Sequence, residues 1–155
     1  MEFKKFGEMS KEKIKWLEQK YRVTFPNDYK QFLLGNNGGF FNIENMNKVP
    51  VDELNDNIYM EVLYGCDTPY DVTNIEYWMD EFESELIEES IIIGNDLSQG
   101  FLVLILLEGY EGVYFWDDGH NFESSNDEEN TYFIAETFTN FLKKYNINNI
   151  DYMRI

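Results

Sequence analysis

Between Ser90 and Asp118 the chain carries three apolar runs, Ile91 to Ile93, Phe101 to Leu107 and Val113 to Trp116, separated by Gly-bearing connections. Short apolar runs punctuated by turn residues predict consecutive β-strands. The middle run, Phe-Leu-Val-Leu-Ile-Leu-Leu, does not alternate with polar residues, so both of its faces must be dry. It is the expected spine of a sheet.

The flanking segments switch to helical spacing. Ser10 is placed to cap a first helix running to about Tyr21, with Ile14, Leu17 and Tyr21 on one stripe and lysines outside. Pro26 suits the first position of a second helix, Asp28 favours its positive end, and Tyr29, Phe32 and Leu33 form its buried stripe. Gly35 to Gly39, with Asn36 and Asn37, ends it. A short strand is expected at Phe40 to Glu44, irregular chain from Met46 to Asn57 with a short strand around Val49, and a strand at Ile58 to Tyr64. Thr73 and Glu76 have capping-box spacing ahead of a third helix whose apolar stripe is Val72, Ile75, Met79, Phe82 and Leu86. Glu76, Asp80 and Glu83 fall on its wet face. A polar loop from Gly119 to Asn130 leads to a strand at Thr131 to Ala135. The last helix carries Phe138, Phe141, Leu142 and Tyr145 inward, with Lys143 and Lys144 near its negative end. This order predicts a single α+β domain over 1–155, with a mainly antiparallel sheet of about six strands flanked by N-terminal, middle and C-terminal helices.

Charge changes the picture more than size does. Thirty acidic residues against twelve basic ones give a net charge of −18, which repels nucleic-acid phosphates and anionic membranes and favours basic partners. Eight of the Lys and Arg residues lie in residues 1–34, and residues 49–142 hold none. The middle and late chain is therefore acidic without local neutralisation. Cys66 is the only cysteine, so no intrachain disulfide forms, and a lone packed thiol fits a cytoplasmic protein. No signal peptide or membrane-spanning helix is expected.

Little in the residues points to catalysis. His120 and Cys66 are the only soft or imidazole ligands, which argues against zinc, and Asp117-Asp118-Gly119-His120 does not follow the order of a calcium loop. Asp96-Leu97-Ser98-Gln99-Gly100 imitates a nucleophile elbow but has Asp96 where the first glycine belongs. The glycines at 35–39 lack the Lys-Ser/Thr of a phosphate loop. Trp16, Trp78 and Trp116 are expected in or near the core, while an aromatic content of 17% predicts that some Tyr or Phe reach the surface, where they can anchor a partner. No cofactor, metal or enzymatic activity is expected.

Glu18-x-x-Tyr21, Phe25-Pro26-x-Asp28-Tyr29-x-x-Phe32-Leu33 and Asn37-Gly38-Gly39 together resemble the opening of the SUKH superfamily. Ile93-Gly94-x-Asp96 with Gly100, Val113-x-x-Trp116 and Ala135-x-x-Phe138-x-x-Phe141-Leu142 resemble its second half. Phe25 stands where leucine is usual. The superfamily includes a yeast cell-wall-synthesis regulator and many bacterial immunity proteins. The resemblance implies a non-catalytic α+β domain that binds and neutralises a cognate toxin, often a nuclease or deaminase; the alternative it implies is a regulatory or scaffolding module. The matched positions are structural, so the expected partner-binding residues come from charge alone. They are Glu76, Asp80 and Glu83 on the third helix, and Asp117, Asp118, Glu123, Asp127, Glu128 and Glu129 in the long loop. The expected partner is a basic toxin domain, and the chain itself a monomer or weak homodimer.

Overall fold

A computed structural model describes residues 3–42 and 47–144. The strands are β1 (Phe3–Lys5), β2 (Gly39–Phe41), β3 (Lys48–Val51), β4 (Asp56–Leu63), β5 (Ser90–Asp96), β6 (Phe101–Ile105), β7 (Gly112–Trp116) and β8 (Thr131–Ala135). The helices are α1 (Lys11–Tyr21), α2 (Asn27–Asn36), α3 (Ile75–Phe82) and α4 (Phe138–Lys143). The α+β architecture is the expected one, with eight strands among the described residues rather than about six. The strand that was not expected is short: three-residue β1 pairs with β2, whereas β3 is the short strand expected around Val49 and pairs with the first half of β4.

The sheet runs β1-β2-β4-β5-β6-β7-β8, with every strand pair antiparallel. All five residues of β6 are buried, as its unbroken apolar run requires of a strand covered on both faces. Leu106 and Leu107 lie just beyond it. The register Phe101↔Trp116, Val103↔Tyr114 and Ile105↔Gly112 puts these residues on one face, and Leu102, Leu104, Val113 and Phe115 on the other. α3 covers the first face. Its Phe82 packs against Phe101 and Trp116 at 5.3 and 5.4 Å, and Trp78 meets Phe101 at 5.0 Å.

Ser10 caps α1 through a hydrogen bond from the Lys13 N–H. Pro26 stands just outside α2 as its N-cap, and Asn37, in the left-handed region at φ 51°, ends it. Asn37 then pairs with the backbone of Cys66, donating to its carbonyl and accepting from its N–H, both at 2.9 Å. α4 lies against β7 and β8, and its Phe138 meets Tyr29 and Phe32 of α2 at 5.0 and 5.1 Å. Tyr145 and the strand end at Glu44 fall outside the described residues.

Two local expectations are corrected. Thr73 does not cap α3: its hydroxyl donates to the Tyr70 carbonyl, Asn74 takes the N-cap position, and Val72 is exposed. The segment is held instead by a parallel bridge of Gly65 to Asn74, which competes with the cap for the same few residues. Trp16 is 40% exposed rather than core, lying on α1 beneath the ammonium groups of Lys13 and Lys20 at 4.0 and 4.9 Å.

Candidate functional site

α3 stops at Phe82, a turn short of the Leu86 that its apolar spacing includes. Glu81, Glu83 and Glu85 crowd its C-terminal end with no basic residue in the last turn, which opposes the helix dipole and disfavours continuation. The chain tightens into a 3-10 turn over Glu83–Glu85, turns extended at Leu86, and enters β5 through Glu89 at φ 57°. Because the helix ends early, a groove lies over the sheet face at Val103, Ile105 and Trp116, which are themselves buried.

The segment 83–90 thus becomes a ridge between two grooves. The first, of about 540 Å³, lies between the ridge and the end of α1, with Tyr21 and Arg22 opposite Glu83, Glu88 and Glu89. The second, of about 430 Å³, has Val103, Ile105 and Trp116 as its apolar floor. Its walls are Glu85, Leu86 and Ile87 on the ridge side and Asp118, His120, Asp127 and Thr131 on the loop side. Leu86, Ile87 and Ser90 border both grooves, and Ile87 is 49% exposed.

The loop wall is organised by a buried carboxylate. Asp117 is fully buried, and its two oxygens accept from the N–H groups of Asn121 and Phe122, each at 2.9 Å. It therefore offers no surface to a partner, which corrects the expectation that it is one of the partner-facing acids. Next to it, Asp96 accepts from the N–H of Ser98 and Gly100 and from the Ser98 hydroxyl. Burial raises the Asp96 carboxyl above its ordinary range, the Ser98 and Gly100 hydrogen bonds oppose that rise, and nearby Asp117 adds to it. The Asn121 amide donates to the Ser98 carbonyl and joins the two turns.

The other expected acids divide by position. Asp118 and Asp127 line the second groove, with an Asp127 oxygen 3.6 Å from His120 Nε2, and Glu83 lines the first. Glu76 is engaged internally, 3.7 Å from Lys13 and 3.6 Å from Lys20 of α1. Asp80 is exposed on α3. Glu123 borders a separate depression with Leu54 and Phe122. Glu128 and Glu129 are exposed in a turn whose N–H groups donate to Asn126 Oδ1.

Sequence reasoning missed Glu85, Glu88, Glu89 and the exposed Ile87 between them. The available signal was an apolar Leu86-Ile87 pair inside an acidic run with no cation nearby, which is unlike a helix stripe. A second apolar surface, formed by Tyr70, Val72 and Tyr77, surrounds the start of α3 and fulfils the expectation of surface aromatics. Cys66 is buried, and burial, followed by Glu76, pushes its thiol up to about 12. Among the described residues no group of three or more His, Cys, Asp and Glu is arranged to hold a metal ion, and no helix is long and apolar enough to cross a membrane.

The chain is similar to YnaB, an uncharacterized protein of Bacillus subtilis (strain 168), at 28% identity over 127 residues, covering 74% of this chain and 86% of the relative. The SMI1 / KNR4 family (SUKH-1) matches residues 8–144, which contain both turns, the ridge and the two grooves, and the protein belongs to that family.

Proposed function

We propose that this protein is an immunity-type binder that neutralises a cognate toxin domain of basic character, acting in the cytoplasm by occupancy rather than by catalysis. Family membership fits a protein partner in general. The observation that carries the finer reading is the ridge, where Glu83, Glu85, Glu88 and Glu89 surround an exposed Ile87 in a part of the chain that holds no Lys or Arg from residue 49 to 142. Long-range attraction to such a surface speeds capture of a basic domain, and desolvated apolar contacts slow its release.

The reading is tested by expressing the toxin-domain product of the adjacent gene in a sensitive host, with and without this protein. Rescue of growth, together with a complex that dissociates more readily as salt is raised, is the expected result. A host that dies equally fast in both cases overturns the immunity reading and leaves the regulatory or scaffolding role that the family also contains.

A further inference from the structure

Tyr70, Val72 and Tyr77 are 55%, 49% and 46% exposed, yet the backbone that displays them is tightly held. The Tyr70 carbonyl accepts from both the N–H and the hydroxyl of Thr73, Asn74 Oδ1 accepts from the Thr68 N–H, and the Trp78 indole donates to the Val72 carbonyl at 2.8 Å. Ring contacts fix the side chains as well. Tyr70 meets Phe40 at 5.8 Å, and Tyr77 stands edge-on to Trp78 at 4.9 Å. Large apolar groups held in place in water gain on being covered and lose little freedom in the process, which is the property of a preorganised contact surface.

Charge restricts what covers it. Asp71 lies between Tyr70 and Val72 in the chain, and Asp80 and Glu81 stand one turn beyond Tyr77 on α3. All three are exposed, and none has an ion-pair partner among the described residues. A second copy of the chain laid face to face would set these carboxylates against their own kind. On α1 the complementary arrangement is complete within the chain: the Lys13 ammonium lies 4.0 Å from the centre of the Trp16 ring and 3.7 Å from a Glu76 oxygen, so ring and carboxylate hold one cation together. Tyr70 with Asp71, and Tyr77 with Glu81, offer the same two groups, with no cation over either ring among the described residues.

We propose that this face docks the basic partner, with an apolar side chain over Val72 and a Lys or Arg on each tyrosine ring, paired with the carboxylate beside it. The assignment rests on the immunity reading for its partner and adds a second contact to the ridge. The two surfaces lie at opposite ends of α3, whose eight residues span about 12 Å, so one domain covers both. Their roles differ. The ridge acts at long range and sets the rate of capture, while covered aromatic anchors set the rate of release.

The test follows the whole protein with the toxin domain of the adjacent gene, by stopped-flow association and by dissociation into competitor. Tyr70→Ala with Tyr77→Ala is expected to speed dissociation at least about tenfold with little change in association, as loss of two aromatic anchors does. Tyr70→Phe with Tyr77→Phe keeps both rings and should stay within about twofold of wild type. Tyr110→Ala, which removes an equally exposed ring from the β6–β7 hairpin, should change nothing. In the wild-type complex, which needs no variant to fold, amide shifts are expected at residues 70–72 and 77–81. An unchanged dissociation rate for the alanine variant, or no shift at those residues, overturns the site and leaves the immunity reading standing. A wild type that does not bind the toxin domain overturns that reading and the site with it. Dimers of the protein alone in sedimentation, lost in the alanine variant, would also overturn the assignment, since a second copy would then be the occupant.

Discussion

Thr139 donates two hydrogen bonds to one oxygen of Asp28, from its backbone N–H at 2.9 Å and from its hydroxyl at 2.8 Å, joining the first turns of α4 and α2. The other Asp28 oxygen accepts from the Tyr29 N–H at 2.8 Å. Hydrogen bonds to a charged group are the strong ones, so Asp28→Ala is expected to lower unfolding stability by about 2 kcal/mol and Thr139→Ala by about 1 kcal/mol. A double-mutant cycle in urea checks this, and additive single effects would show that the two residues do not act through each other.

Gly65 and Gly35 make a contrasting pair. A Cβ at Gly65 would stand 1.9 Å from the Asn37 carbonyl oxygen, where the end of α2 is pinned to the Cys66 backbone, whereas a Cβ at Gly35 meets nothing within 4 Å. Gly65→Ala is therefore expected to cost more than about 3 kcal/mol or to abolish soluble folding, and Gly35→Ala to add about 0.5 kcal/mol from helix propensity. Thermal unfolding of the two variants distinguishes a steric requirement from a general intolerance of the α2 end.

Asp96 gives a pH signature. Its folded pKa is raised above the ordinary 3.8, so folding takes up a proton in the window between those values, and its contribution to stability declines as pH rises through that window. Asn keeps the acceptor for Ser98 and Gly100 but does not titrate. Relative to wild type, Asp96→Asn should gain stability from about pH 3.5 upward and level off once the folded carboxyl is ionised. Urea unfolding of both proteins across that range checks the sign, and a difference that stays flat with pH would contradict it.

Much of the fold was legible because single residue types have few alternatives. An unbroken apolar run at Phe101 to Ile105 admits only a doubly covered strand, and Asn37 before Gly38 marks a left-handed helix end whatever follows. The capping box at Thr73 was misleading because the same hydroxyl satisfies a nearer carbonyl, that of Tyr70, at 2.7 Å. β1 is three residues long, and its existence depends on the pairing partner β2 rather than on its own pattern.

The site was less legible for a different reason. Charge counting treats Asp117 and Asp118 alike, yet alternation at the end of a strand buries the first and directs the second to a groove. Helical spacing through Leu86 likewise hid the early end of α3, which is a charge effect at the helix terminus and the origin of the second groove. Glu85, Glu88 and Glu89 acquire meaning only once that end is known.

In the proposed function the acidic ridge captures a basic toxin domain. The most direct measurement is the stopped-flow association rate of the adjacent gene's toxin domain with wild type and with Glu83→Lys/Glu88→Lys/Glu89→Lys, at about 50 mM and about 200 mM salt. The wild-type rate is expected to fall about tenfold between the two salts, and the variant to be at least about tenfold slower at the lower salt and nearly insensitive to the change. Equal rates for the two proteins at both salts would contradict it.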